Sequence, residues 1–197
     1  MDKKEKAIDR AKQLIEEMSD VAHPVSHMKQ VLKYSKEIAA SEKDVDMDIL
    51  EVAIWWHDVG RLHVDEGHAK KSAEMAKAEL NKLDFDKVII DKVYDAVINH
   101  NSSGVPECIE GKILRDADKL DFLNTSRWQN VVDHKQNSTI KSAIKKIPII
   151  RNRILTLDQS KLIFDKLFKE LKKYVLTVND DFFQEYKKQI LEMKNIS

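Results

Sequence analysis

His57 and Asp58 close a run, Ile49-Leu-Glu-Val-Ala-Ile-Trp-Trp56, that is apolar on nearly every side. A helix with that pattern belongs in the middle of a bundle. Its C-terminal end therefore carries an imidazole and a carboxylate into the interior. An unpaired buried carboxylate is costly and shifts its pKa until it is neutral. A divalent cation resolves the conflict, because it accepts imidazole nitrogen and carboxylate oxygen together and cancels the charge. Four more residues of ligand type stand at or beside core-facing positions near helix ends. His27 opens a helix one position before the stripe Met28, Val31, Leu32, and His68 opens another beside Ala69 and Ala73. His100 continues the stripe Val93, Val97, and Asp118 follows Leu114 by four residues, next to Ala117. Taken singly, each is an ordinary capping or satisfied core residue. Together the six have the arrangement from which helical bundles build metal sites, with side chains on facing helices.

The elements that must position them are helices. Apolar spacing predicts helices over about 3–18, from Pro24 to 39, 47–59 with Gly60 as its stop, 67–83, 85–100 and 106–120. Two longer amphipathic patterns follow over 158–178 and 180–193, with Pro148 breaking the chain ahead of them. Only four glycines and three prolines are present, which excludes an all-β fold built on many tight turns. The expected class is all-α: a helical bundle with additional C-terminal helices. Its metal-binding core spans 1–125, and an extension over 126–197 packs on the same domain.

At these residues the chain resembles a known family. His27, then His57-Asp58, then Asp118 resemble the ordered H…HD…D signature of the HD-domain metal-dependent phosphohydrolases. The local contexts agree: His27-Met-Lys-Gln-Val-Leu-Lys-Tyr, Ala53-Ile-Trp-Trp-His-Asp-Val-Gly60, and Leu114-Arg-Asp-Ala-Asp-Lys-Leu-Asp121. The resemblance covers about residues 20–125, and the ordered set is far more specific than a lone His-Asp pair. It implies an HD-type helical fold with one divalent ion (Mn, Fe, Co, Ni, Zn or Mg) held by His27, His57, Asp58 and Asp118. His68 and His100 are similar to the further histidines of two-metal members, where they hold a second ion. The double histidine of the cyclic-dinucleotide branch is absent, since Asn101 follows His100. The implied activity is hydrolysis of a phosphomonoester or phosphodiester, most plausibly of a nucleotide. Asp58 would orient water as well as ligate. His68 and His100 would act as general acids if they hold no metal, and Arg61 and Lys119 would neutralise phosphate charge. Two other readings stand beside this one: a non-catalytic nucleotide- and metal-binding sensor, and a di-iron oxygenase of the same superfamily.

Composition narrows the partners. Lys plus Arg and Asp plus Glu both number 34, so the net charge is zero and no global field favours nucleic-acid polymers or anionic membranes. A small phosphate ester or nucleotide is the expected partner, and a homodimer is compatible with the sequence. One cysteine, Cys108, excludes an intramolecular disulfide and a Cys-rich zinc module. With no apolar leader and no run long enough to span a bilayer, a cytoplasmic location is expected. His63 and His134 sit in polar surroundings, and His23 reads equally as a surface residue or a substrate contact. Trp55 and Trp56 read as core or pocket wall. The stretch 122–157 is expected to cover the pocket, with Arg127 and Trp128 as contributors.

Overall fold

A computed structural model describes residues 1–18 and 25–193. It contains ten α-helices and, among the described residues, no strand. None of these helices is long and apolar enough to cross a membrane. The chain divides into two compact units, Met1–Asp118 and Lys119–Ser197.

The first unit is built around one helix. It contains α1 (Lys3–Glu16), α2 (Val25–Ala39), α3 (Met47–Trp56), α4 (His68–Lys82), α5 (Lys87–Ile98) and most of α6 (Ile109–Leu120). Helix α3 touches α1, α2, α4 and α5. That accounts for its lack of a polar face: Ile49, Leu50, Val52, Ala53, Ile54, Trp55 and Trp56 are all buried. Burying each Ile, Leu or Val among them contributes about 1.5–3 kcal/mol relative to exposure. The Trp56 indole N–H also donates to the Ala7 carbonyl at 3.1 Å, fastening α1 to the centre. Asp46 caps α3 by accepting from the amides of Asp48 and Ile49. The Asp46 amide in turn donates to Glu110 Oε1 at 3.0 Å, and Lys92 donates to the same oxygen at 3.2 Å. Glu110, on α6, is fully buried and ties the start of α3 to α5. The helix expected to begin at Pro24 starts at Val25. Pro24 and His23 themselves lie outside the described residues.

Two expectations about the end of α3 need correction. The helix stops at Trp56, not Val59, and a 3₁₀ turn, Val59–Leu62, follows. Asp58 leaves the α-helical region with φ −110° and ψ 2°. Gly60 is not a helix stop but a point of close approach. A Cβ there would sit 2.4 Å from the His68 carbonyl oxygen and 2.6 Å from the Ser72 amide nitrogen. The Gly60 amide donates to the buried Ser72 hydroxyl at 2.8 Å, so the turn lies directly on α4.

The second unit holds α7 (Thr125–Asp133), α8 (Asn137–Ile149), α9 (Asp158–Thr177) and α10 (Gln184–Glu192). Here the sequence misleads at Pro148. The residue does not part the chain ahead of the C-terminal helices. It lies inside α8, in the last turn, and a π-helical turn, Ile150–Ile154, continues directly from that helix. Proline lacks an amide hydrogen and crowds the carbonyl four residues back, which favours a wider turn over a clean stop near a helix end. Residues 122–157, expected to cover the pocket, are mostly helix. Trp128 is buried against Phe183 with ring centroids 6.1 Å apart, and its indole N–H donates to the Phe122 carbonyl. Arg127 pairs with Asp121 at 2.8 Å and lies over the Phe122 ring. Both residues are thus engaged within this unit.

The fit at Gly60 yields a stability prediction. Gly60→Ala forces backbone against backbone, and overpacking of this kind costs about 1–3 kcal/mol. Urea denaturation should show that loss with an unchanged m-value, whereas an unchanged midpoint would mean the turn is not pressed onto α4.

Candidate metal centre

Six ligand-type side chains meet inside the first unit. His57 caps α3 and is fully buried, Asp58 follows it, and His27 reaches in from the first turn of α2. Asp118 arrives from the end of α6, His100 from just past α5, and His68 from the first position of α4. His27 Nε2 lies 3.4 Å from His57 Nε2, 3.5 Å from Asp118 Oδ1 and 4.0 Å from Asp58 Oδ2. His57 Nε2 lies 3.5 Å from Asp58 Oδ2 and 4.0 Å from Asp118 Oδ1. On the other side, Asp58 Oδ1 lies 3.3 Å from His68 Nε2 and 3.4 Å from His100 Nε2. Asp58 therefore presents one oxygen to each half of the cluster.

The orientation of the imidazoles is set by the backbone. His57 Nδ1 is 2.7 Å from the Ile54 carbonyl, His100 Nδ1 is 2.6 Å from Val97 and His68 Nδ1 is 2.8 Å from Asp65. A carbonyl only accepts, so each Nδ1 must carry the hydrogen. Each Nε2 then offers a lone pair toward the cluster. All three bonds run to the carbonyl three residues earlier. At the ends of α3 and α5 that carbonyl belongs to the last turn, where oxygens have lost their helical donors. This pinning, which in metal sites fixes ring orientation and raises ligand basicity, was not seen in the sequence. The signal was there to find: a histidine one or two residues past a helix.

Burial decides the charge state. It pushes the His57 pKa down to about 4, outweighing the upward pull of neighbouring Asp58, while His100 and His27 press in the same direction and Asp118 opposes them. The ring is neutral at physiological pH, which is the ligating form. The site thus aims imidazole nitrogens, that of His57 neutral, and two carboxylates at a common interior region. With ligand bonds of about 2.1 Å, neighbouring donors around a cation stand roughly 3.0–3.5 Å apart, and the shorter separations here fall in that range. Donor type, spacing and protonation state all fit a divalent ion. Three groupings have ligand atoms close enough to share one: His27, His57 and Asp58; His57, His100 and Asp118; and Asp58, His68 and His100.

Exposure rises in one direction. Side-chain exposure is 0% for His57, 11% for Asp118, 16% for His68 and 22% for Arg61. The mouth of the site is on the His68 and Arg61 side. Arg61 Nε donates to Asp58 Oδ1 at 3.0 Å, and its Nη2 donates to His68 Nε2 at 3.0 Å. Lys119 follows Asp118 on α6 and is buried rather than solvated. His63 and His134 are exposed, and Trp55 and Trp56 belong to the core. Two positioning groups escaped the sequence reading. Arg115, on α6, donates to the Gly104 carbonyl at 2.5 Å. Asp95, on α5, accepts from the amides of Glu107 and Cys108. They fix the turn that leaves His100.

The HD domain family model matches residues 25–123, and the chain belongs to that family. A predicted HD superfamily hydrolase from an uncultured Thermotogales bacterium has a similar structure, with a TM-score of 0.69 and 24% identity over 87% of this chain and 88% of that one. The Lin1889 protein from Listeria innocua is similar at a TM-score of 0.62 and 22% identity, over 92% of this chain and 98% of its own. At such identities the likeness concerns the fold. No curated protein matches the sequence. HD domains bind divalent metals, in keeping with the His and Asp cluster.

The depressed His57 pKa gives a signed prediction. The unfolded ring takes a proton near its ordinary 6.5 and the folded ring only near 4. Stability is fully present above about 6.5 and falls as pH drops toward 4, where the unfolded chain binds more protons. Urea midpoints of chelated protein should decline across that window and flatten in His57→Gln. A flat wild-type profile would contradict it.

Proposed function

We propose that this protein is a divalent-metal-dependent phosphohydrolase that cleaves a small phosphomonoester or phosphodiester, with nucleotides as the substrate class the family resemblance implies. The observation that carries the reading is the convergence of His27, His57, Asp58 and Asp118, with ligand atoms 3.4–4.0 Å apart and the His57 lone pair aimed inward. An ion held there would polarise a phosphoryl oxygen and acidify the attacking water.

The chain's own residues supply the rest. Asp58, shared between both halves of the cluster, is placed to orient water as well as to ligate. His68 stands at the mouth with Nδ1–H held by Asp65, so Nε2 is an acceptor here, and it would pass a proton to a leaving oxygen only after taking one up in place of the Arg61 hydrogen bond. His100 has the same tautomer but is buried, which favours a ligand or fixed hydrogen-bonding role over proton exchange with solvent. Arg61 brings a permanent positive charge to the open side, where it offsets phosphate charge, and Lys119 is assigned the same task from the far end of α6.

The test is hydrolysis of a generic phosphoester and a nucleotide panel with added Mn²⁺, Co²⁺, Ni²⁺ or Mg²⁺. His57→Ala and Asp58→Ala should each lower kcat by at least about a hundredfold, and chelator should abolish turnover until metal is restored. Turnover that persists in Asp58→Ala and in chelator would refute the assignment. Tight nucleotide binding with no product under every metal would favour a sensor, and oxygen uptake by an iron-loaded chain would favour the oxygenase.

A further inference from the structure

We propose that Arg61 occupies the second cation position of this centre and holds the chain to one bound ion in its resting state. The inference rests on the metal reading above. Asp58 Oδ1, His68 Nε2 and His100 Nε2 form a set of the right donor types for a second ion, and their ligand atoms are mutually close. Both histidines commit Nδ1 to backbone carbonyls, so both lone pairs face the set. The guanidinium already spans two of the three acceptors. Its Nε–H donates to Asp58 Oδ1 and its Nη2–H donates to His68 Nε2, each at 3.0 Å.

A lone pair serves one partner at a time. Arg61 and a second ion therefore exclude each other at His68 and compete for the same oxygen of Asp58. The guanidinium keeps its charge at all accessible pH values and presents its donors as a rigid fork, which suits it to stand in for a cation. The backbone delivers it there. Arg61 lies three residues after Asp58 on the 3₁₀ turn, and its amide donates to the Asp58 carbonyl at 3.0 Å. Gly60 anchors that turn on Ser72, one helical turn beyond His68. The first set uses other donor atoms, the Nε2 of His27 and His57, the second oxygen of Asp58 and Asp118 Oδ1, and it is this set that would hold the one ion.

The experiment is equilibrium dialysis of the full chain against Mn²⁺, with metal per chain measured by elemental analysis and folding checked by circular dichroism. Wild type should hold one ion and Arg61→Ala two, with the second site gaining about tenfold or more in affinity from the loss of two charge-assisted bonds. Arg61→Gln, which keeps length and polarity but no charge, should behave like Arg61→Ala and serves if the alanine variant does not fold. Adding His68→Ala to Arg61→Ala should return the count to one. Two ions of similar affinity in wild type, or one ion in both Arg61 variants, would overturn this proposal while leaving the metal reading intact. No ion in any form would overturn both.

Discussion

Carboxylates and imidazole lone pairs that converge on one interior region repel one another, and that constraint governs the first unit. Asp58 and Asp118 bring negative charge to the same interior region as the Nε2 lone pairs of His57, His68 and His100. Bulk solvent offers little relief, because His57 is wholly buried and Asp58 nearly so. Positive charge must be supplied from within. Arg61 supplies some of it to one oxygen of Asp58, and a divalent ion is the natural source for the other. The arrangement persists because helices hold it rigidly: α3 is clamped on several sides, and its end is where the chain turns from apolar packing to ligand chemistry.

The ring orientations follow from that placement. The last turn of a helix has carbonyls without helical partners. A histidine just beyond can donate Nδ1–H to one of them, and the opposite nitrogen then points away from the helix. His57 and His100 do this at the ends of α3 and α5. His68 reaches the same state differently, at the start of α4, by using a loop carbonyl. A feature usually treated as an unsatisfied end is here what fixes the tautomer.

Much of this was legible in the sequence. The apolar run before His57 required a central helix, and period-3.6 stripes placed His27, His100 and Asp118 at core-facing positions near helix ends. What was not legible depends on contacts distant in sequence. Gly60 reads as a stop signal along the chain, yet its role comes from α4 lying against it. Pro148 reads as a break, but a helix already near its end absorbs it by widening. Nothing along the chain marks Glu110 as interior. It is buried because the Asp46 amide and Lys92 happen to meet it. The grip of Arg61 on His68 is hidden for the same reason, since only the fold of the 3₁₀ turn brings them together.

The gradient of exposure across the site separates two tasks within the chain. The least accessible ligands come from helices that also carry the core, so altering them alters the fold. The stretch His63–Gly67, between Arg61 and His68, is exposed throughout and its side chains take no part in packing the interior. Substitutions along that short margin can change what reaches the ligands without disturbing the packing behind it.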